Sequence, residues 1–276
     1  MQPTVSFHVF VSLAAMALTW VAFAQPFFAH WKIVAFVWLF LLPLIFVVNK
    51  AHENVTSGES TFTLVKLISV IVTMAAFLFF WKRGPGRVGT WVIALLFAVN
   101  ILEAVVWQSN HYTEERNVVD IANALFGVLL VLLLIPMYRN KSIESGKDGL
   151  DTKFGIWYIL AYTTWNLLFR SRLIESSSTL IFFTVTLLMP LLAHVFNHGD
   201  WLVVRGAGLL SLVLLTFGLG SGELNILPMY NKQAFDPEAD KQSVLSEVQQ
   251  SDFYRYGLLG LTGVFMIAAT RECFQN

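Results

Sequence analysis

Nine stretches of this sequence run for close to twenty residues with scarcely a charge, and the polar residues collect between them. They lie near 7–24, 31–49, 62–81, 89–107, 118–138, 154–172, 179–197, 201–220 and 254–271. About 20 mostly apolar residues is what a helix needs to cross the hydrocarbon of a bilayer. Apolar and polar positions do not alternate within the stretches, so the two-residue period of a membrane β-barrel is missing. In lipid each backbone amide must find its partner inside the protein, which leaves helices. Most stretches end on an interfacial residue such as Trp31, Trp81, Trp91, Trp107, Tyr138, Trp201 or Tyr254, the aromatic belt expected where headgroups meet water. The pattern predicts an all-α fold: a polytopic integral membrane helical bundle of about nine transmembrane helices, one domain over 1–276.

The first stretch resembles a secretory leader, since Ala22-Phe23-Ala24 follows its apolar run. Met1 to Ser6 carry no Lys or Arg, however, and a leader begins with positive charge. We read it as a retained first span. Basic residues in short loops set the orientation. Lys82, Arg83 and Arg87 fill the loop after the third stretch, and Arg139, Lys141, Lys147 and Lys153 the loop after the fifth. Nine spans put both loops on one side, here the cytoplasm. The N-terminus is then outside and the C-terminus cytoplasmic, in a plasma or bacterial inner membrane. The longest loop, 221–253, falls outside. Its Asp236-Pro237-Glu238 reads as a helix start, with Asp as N-cap and Pro at the first position, opening a surface amphipathic helix. Asn54-Val55-Thr56 is a glycosylation sequon on the same side.

Composition sharpens the class. Charged residues make up 13% of the chain against the quarter or so of soluble domains, and mean hydropathy is +0.64. The lipid bilayer is the one solvent that suits this surface. Net charge is zero and no basic face or tail appears, so no nucleic acid partner is implied. Cys273 stands alone, which excludes an internal disulfide and a thiolate zinc site.

Polar residues inside spans are expensive and mark functional sites by default. Asn100, Glu103 and Trp107 share one face of the fourth span, and Tyr162, Asn166 and Arg170 one face of the sixth. Asp120 and Asn123 add a polar face at the start of the fifth. In the nine-span topology all of these fall in the outer halves of their spans. They suggest an outward-facing polar site between the fourth, fifth and sixth spans, with Glu103 and Arg170 as an ion pair or ligand clamp. Equally open is structural glue, meaning interhelical hydrogen bonds and charges that snorkel to the interface. The fourth and sixth spans also align without gaps, Trp91 on Trp157, Asn100 on Asn166 and Leu102 on Leu168, as a parallel repeat would.

Other signals are thinner. His194 and His198 sit four apart on one face, the spacing of two metal or haem ligands, but no third ligand is identifiable. Gly218 to Glu223 superficially resembles a serine-nucleophile elbow, yet Leu219 stands where that motif needs Gly. Pro43 and Pro190 are positioned to kink spans. Gly257, Gly260 and Gly263 suggest close helix packing, within the fold or between protomers. No catalytic residue and no cofactor emerges. The leading expectation is a membrane transporter or channel for a small solute or ion. The alternatives are a non-catalytic subunit (assembly, sensory or scaffold) of a larger complex, and an integral membrane enzyme on a lipid-linked substrate. A homo-oligomer or a membrane-complex partner fits any of the three.

Overall fold

Apolar runs that must close their hydrogen bonds locally become helices, and helices dominate the computed structural model. It describes residues 58–83, 86–115, 117–139, 143–146, 149–173, 177–196, 200–206, 208–209 and 251–275. Within these lie α1 (Gly58–Arg83), α2 (Gly86–Glu115), α3 (Val118–Arg139), α4 (Ile156–Leu173), α5 (Ser177–Val195) and α6 (Asp252–Gln275). A further helical stretch, 201–206, precedes α6. The spans expected near 7–24 and 31–49 lie outside the described residues. So do most of 201–220, the Asn54 sequon, the helix expected after Asp236, and the Gly218 to Glu223 run.

Three segments are long and apolar enough to cross a membrane: Gly86–Asn110, Val118–Tyr138 and Asp252–Gln275. The chain is thus a helical membrane protein, but the described residues hold seven helical segments and not nine spans. Shorter apolar runs occupy α1 (Ile68–Phe77) and α5 (Thr186–Val195). Helix α4 falls short for a physical reason. It is largely enclosed by protein and carries Thr163, Thr164, Asn166, Arg170 and Arg172, polar groups that neighbouring protein rather than lipid must satisfy. The all-α expectation also needs one amendment. The loop after α3 forms a hairpin of β1 (Ile143–Gly146) and β2 (Gly149–Thr152), antiparallel, with Ile143 opposite Thr152.

Side-chain contacts fix the helix directions. Ser69 of α1 bonds Glu103 of α2 while Phe80 lies against Gly89, so these two run antiparallel. Trp91 meets Tyr138, and Val105 lies against Gly127, which makes α2 and α3 antiparallel. Asp120 pairs with Arg172 and Leu130 with Tyr158, so α4 reverses again. Helix α6 packs on α4 more closely than on any other described element, with Thr262 bonded to Thr164 and Phe265 beside Trp157, again antiparallel. The stretch 201–206 runs along the start of α4, Trp201 touching Phe154 and Arg205 reaching Tyr162 one turn on.

The surface of the bundle is apolar like its core, unlike that of a water-soluble one. Helix α2 exposes Trp91, Leu95, Val99, Leu102 and Val106 and buries Gln108. Helix α3 exposes Leu125, Leu129 and Leu132 while burying Asp120 and Asn123 completely. Lipid accepts such a surface, whereas water would drive it to aggregate. Threonines solve their polarity locally. Thr73, Thr90, Thr163, Thr262 and Thr270 each donate to the carbonyl four residues earlier, at 2.7–2.8 Å.

Candidate functional site

The expected site residues separate into two groups on either side of α4. The first is a seam between α3 and α4. Asn117 caps α3, its side-chain oxygen accepting from the Val119 amide at 2.9 Å. That cap leaves Asp120 in the first turn, where the helix dipole favours an anion. Arg172 occupies the last turn of α4, where the dipole favours a cation. The two meet in a bidentate pair, Nε to Oδ1 at 2.9 Å and Nη2 to Oδ2 at 3.0 Å. One turn deeper, Trp165 donates its indole to the Asn123 carbonyl at 2.8 Å, and Asn123 donates its amide to the Trp165 carbonyl at 3.3 Å. Tyr158 donates to the Leu130 carbonyl at 3.3 Å. Gly127 lets the helices come this close, since a Cβ there would meet Val105 and lie 3.0 Å from Trp165 Cζ2. The seam is an interlock of charge and hydrogen bonds.

The second group faces a cavity bounded by α1, α2, α4 and the stretch 201–209. Val70, Thr73 and Phe77 come from α1, Phe97 and Asn100 from α2, and Tyr162 from α4. Leu202, Arg205, Gly206 and Leu209 close it. Counted with its open mouth it holds about 310 Å³, of which about 20 Å³ admits the centre of a water molecule. That is room for about one water or a few heavy atoms. Its wall continues into an aromatic cage. Tyr162 sits 5.2 Å from Trp201 and 5.3 Å from Phe97, and Trp201 meets Phe154 at 5.3 Å.

Several polar atoms around this cage are buried without a partner. Asn166 donates to the Tyr162 hydroxyl at 3.1 Å, but its own carbonyl oxygen accepts nothing. Trp201 Nε1 and Arg205 Nε are also unsatisfied. Arg205 is 4% exposed, and its guanidinium carbon stands 5.7 Å from the Tyr162 ring centroid. Elsewhere Gln108 is fully buried with both amide atoms unpartnered. Native structures hold only a few such groups, and each calls for an explanation such as water or a ligand.

Set against the sequence expectation, Asn100 and Tyr162 line the cavity, and Asn166 adjoins it through Tyr162. Asp120 and Asn123 belong to the seam instead. The carboxylate of Glu103 accepts from Ser69 at 3.1 Å, and the guanidinium of Arg170 stands 5.4 Å from the Phe169 ring centroid. Asp120 pairs with Arg172, two residues beyond the Arg170 that the face of α4 offered as a clamp for Glu103. The cavity lies between the fourth and sixth expected spans and closes against the third and the start of the eighth. Phe97 meets Tyr162 and Trp107 meets Phe169, so α2 and α4 run the same way, with Asn100 and Asn166 between those contacts. Of the histidine pair, His194 is half-buried on α5 and His198 lies outside the described residues. Among the described residues no three His, Cys, Asp or Glu side chains converge on a metal site.

Sequence reasoning missed Arg172, Arg205 and Gln108. All three stand within a turn or so of an aromatic or charged boundary and read as interfacial. Helix α2 in fact continues to Glu115, well past Trp107, so residues beyond the belt are still packed against helices. No protein-family model matches the chain, nor does any curated protein or solved structure.

Proposed function

We propose that this chain is a membrane transporter or channel for a small solute or ion, with its binding site in the cavity between α1, α2 and α4. One observation carries the reading. A cavity inside an apolar bundle is lined by Asn100, Tyr162 and Arg205, with an unpartnered Asn166 oxygen beside it. Packing alone gives no reason to leave Arg205 Nε and the Asn166 oxygen buried without partners, where each costs about 1–3 kcal/mol. A solute that completes their hydrogen bonds does give a reason. Glu103, bonded to Ser69 on the same pair of helices, is the coupling carboxylate of this reading.

The orientation follows the loop charges. Arg87, exposed at the start of α2, faces the cytoplasm, and Asn110, exposed near its end, faces outward in the cell membrane. In a Cys273→Ser background, Arg87→Cys and Asn110→Cys are then labelled by an impermeant maleimide from opposite sides of intact cells. Labelling of both from one side would overturn the orientation.

The functional test is flux into proteoliposomes, screened over small inorganic ions and organic acids. Glu103→Gln should purify folded and lose coupled flux. An unfolded Glu103→Gln together with absent wild-type flux would leave the residue as helix glue. A non-catalytic subunit of a larger complex is the second reading, favoured by a separate observation. Gly257 and Gly260 of α6 face open space, a strip where another membrane helix can seat closely. A protein that co-purifies in fixed ratio and protects Gly257→Cys from labelling would favour it over transport.

A further inference from the structure

We infer that the cavity beside Arg205 binds a small monovalent anion, of the size of chloride, formate or acetate. The inference rests on the proposed binding site and names its ligand class. Four observations lead there. An arginine side chain keeps its charge in any protein environment. Arg205 is 4% exposed, lines the cavity, and has its Nε without a hydrogen-bond partner. Its described contact is the Tyr162 ring, and among the described residues no carboxylate pairs with it. Gly206 beside it seats this stretch close against α1 and so encloses the site, because a Cβ there would come 2.9 Å from Phe77 and 3.3 Å from Met74.

A buried cation in a low-dielectric bundle is stable only when an opposite charge or strong hydrogen bonds answer it. A ring face answers part of the charge but cannot accept the hydrogen bond of Nε. The contrast within the same molecule is direct: Arg172, equally enclosed, has both its Nε and Nη2 on the Asp120 carboxylate. The partner that Arg205 lacks is of that kind, an acceptor with negative charge. One cation and no second one among the described cavity-lining residues call for a single negative charge. The space of about 20 Å³ open to a water centre limits the group to a few heavy atoms. A phosphate ester or a dicarboxylate exceeds both limits. The planar guanidinium fork suits a carboxylate end better than a sphere.

The test is calorimetric titration of the full-length protein in detergent with sodium chloride, formate and acetate, in gluconate buffer. Gluconate is too large for the cavity and serves as inert background. Saturable binding with one site per chain is expected, tightest for formate or acetate. Arg205→Gln should weaken it about tenfold or more, the loss expected when a charged hydrogen-bond donor is removed. Arg87→Gln, at an exposed arginine, should leave it unchanged. If Arg205→Gln does not purify as a monodisperse species, Arg205→Lys replaces it. Lysine keeps the charge but loses the fork, so the carboxylates should weaken relative to chloride. Wild-type protein that shows no saturation with any of the three overturns the inference, as does binding untouched by either substitution. Intact anion binding without flux would instead overturn the transport reading. Flux of a neutral or cationic solute without anion binding would overturn only the anion.

Discussion

Replacing Asp120 by Ala leaves Arg172 as an uncompensated cation at the end of α4, and this should be among the most damaging single changes in the bundle. Asp120 is completely buried and the Arg172 side chain is 9% exposed, so water cannot take over the solvation. Two magnitudes compete. Polar pairs between membrane helices average only about 0.6 kcal/mol in double-mutant cycles, since unpaired groups find substitutes. Breaking one side of a buried, bidentate ion pair costs about 3–5 kcal/mol, because a charge remains behind. The geometry here, with two bonds at 2.9 and 3.0 Å and both groups enclosed, belongs to the second case. At roughly 2–4 °C per kcal/mol, Asp120→Ala should lower the melting temperature by roughly 6–20 °C, as should Arg172→Met. Removing both charges together, Asp120→Leu with Arg172→Met, should restore most of the loss, since no unpaired charge is left. Intrinsic tryptophan fluorescence during heating reads all four proteins. Single losses below about 3 °C, or a double variant as unstable as the sum of the singles, would refute the reasoning.

Gly127→Ala should destabilise by about 1–3 kcal/mol, because the new methyl meets Val105 and Trp165 at a three-helix junction. Gly257→Ala, facing open space, should be neutral or stabilising by up to about 1 kcal/mol, and parallel thermal melts compare the two. Trp165→Phe removes the indole donor to the Asn123 carbonyl, which keeps its helical partner, so the lost hydrogen bond should cost about 0.5–1.5 kcal/mol on the same assay. Asp200→Ala removes the acceptor of the Thr152 amide and hydroxyl and of the Val203 amide, so hydrogen exchange at Thr152 and Val203 should accelerate while α3 amides stay protected.

Much of the fold was legible because membrane helices announce themselves by length and apolarity, as α2, α3 and α6 do. The polar faces of Asn100, Tyr162 and Asn166 were legible too, since spacing on a helix fixes which side chains share a side. What the spacing could not reveal is which neighbour each face meets. Asp120 and Asn123 looked like part of the same site, yet α4 presents one side to them and another to the cavity. Arg205 was hidden by Trp201, whose aromatic ring suggested a headgroup boundary when it is instead 1% exposed among other rings. An aromatic belt residue and a buried cage residue read identically in sequence. The hairpin of β1 and β2 gave no alternating apolar pattern, so it passed as plain loop.

The polarity of α4 has a consequence for how the protein is made. Arginine near the end of a helix, together with Asn166 and paired threonines, makes this segment a poor candidate to partition into lipid on its own. Its predecessor α3 is the opposite, a strongly apolar segment that carries Asp120 at the matching level. The two form a couple in which one supplies the affinity for the membrane and the other the charge that makes its companion acceptable. Insertion of α4 is therefore expected to depend on α3 and its Asp120, which a membrane-insertion assay of α4 with and without α3 would read.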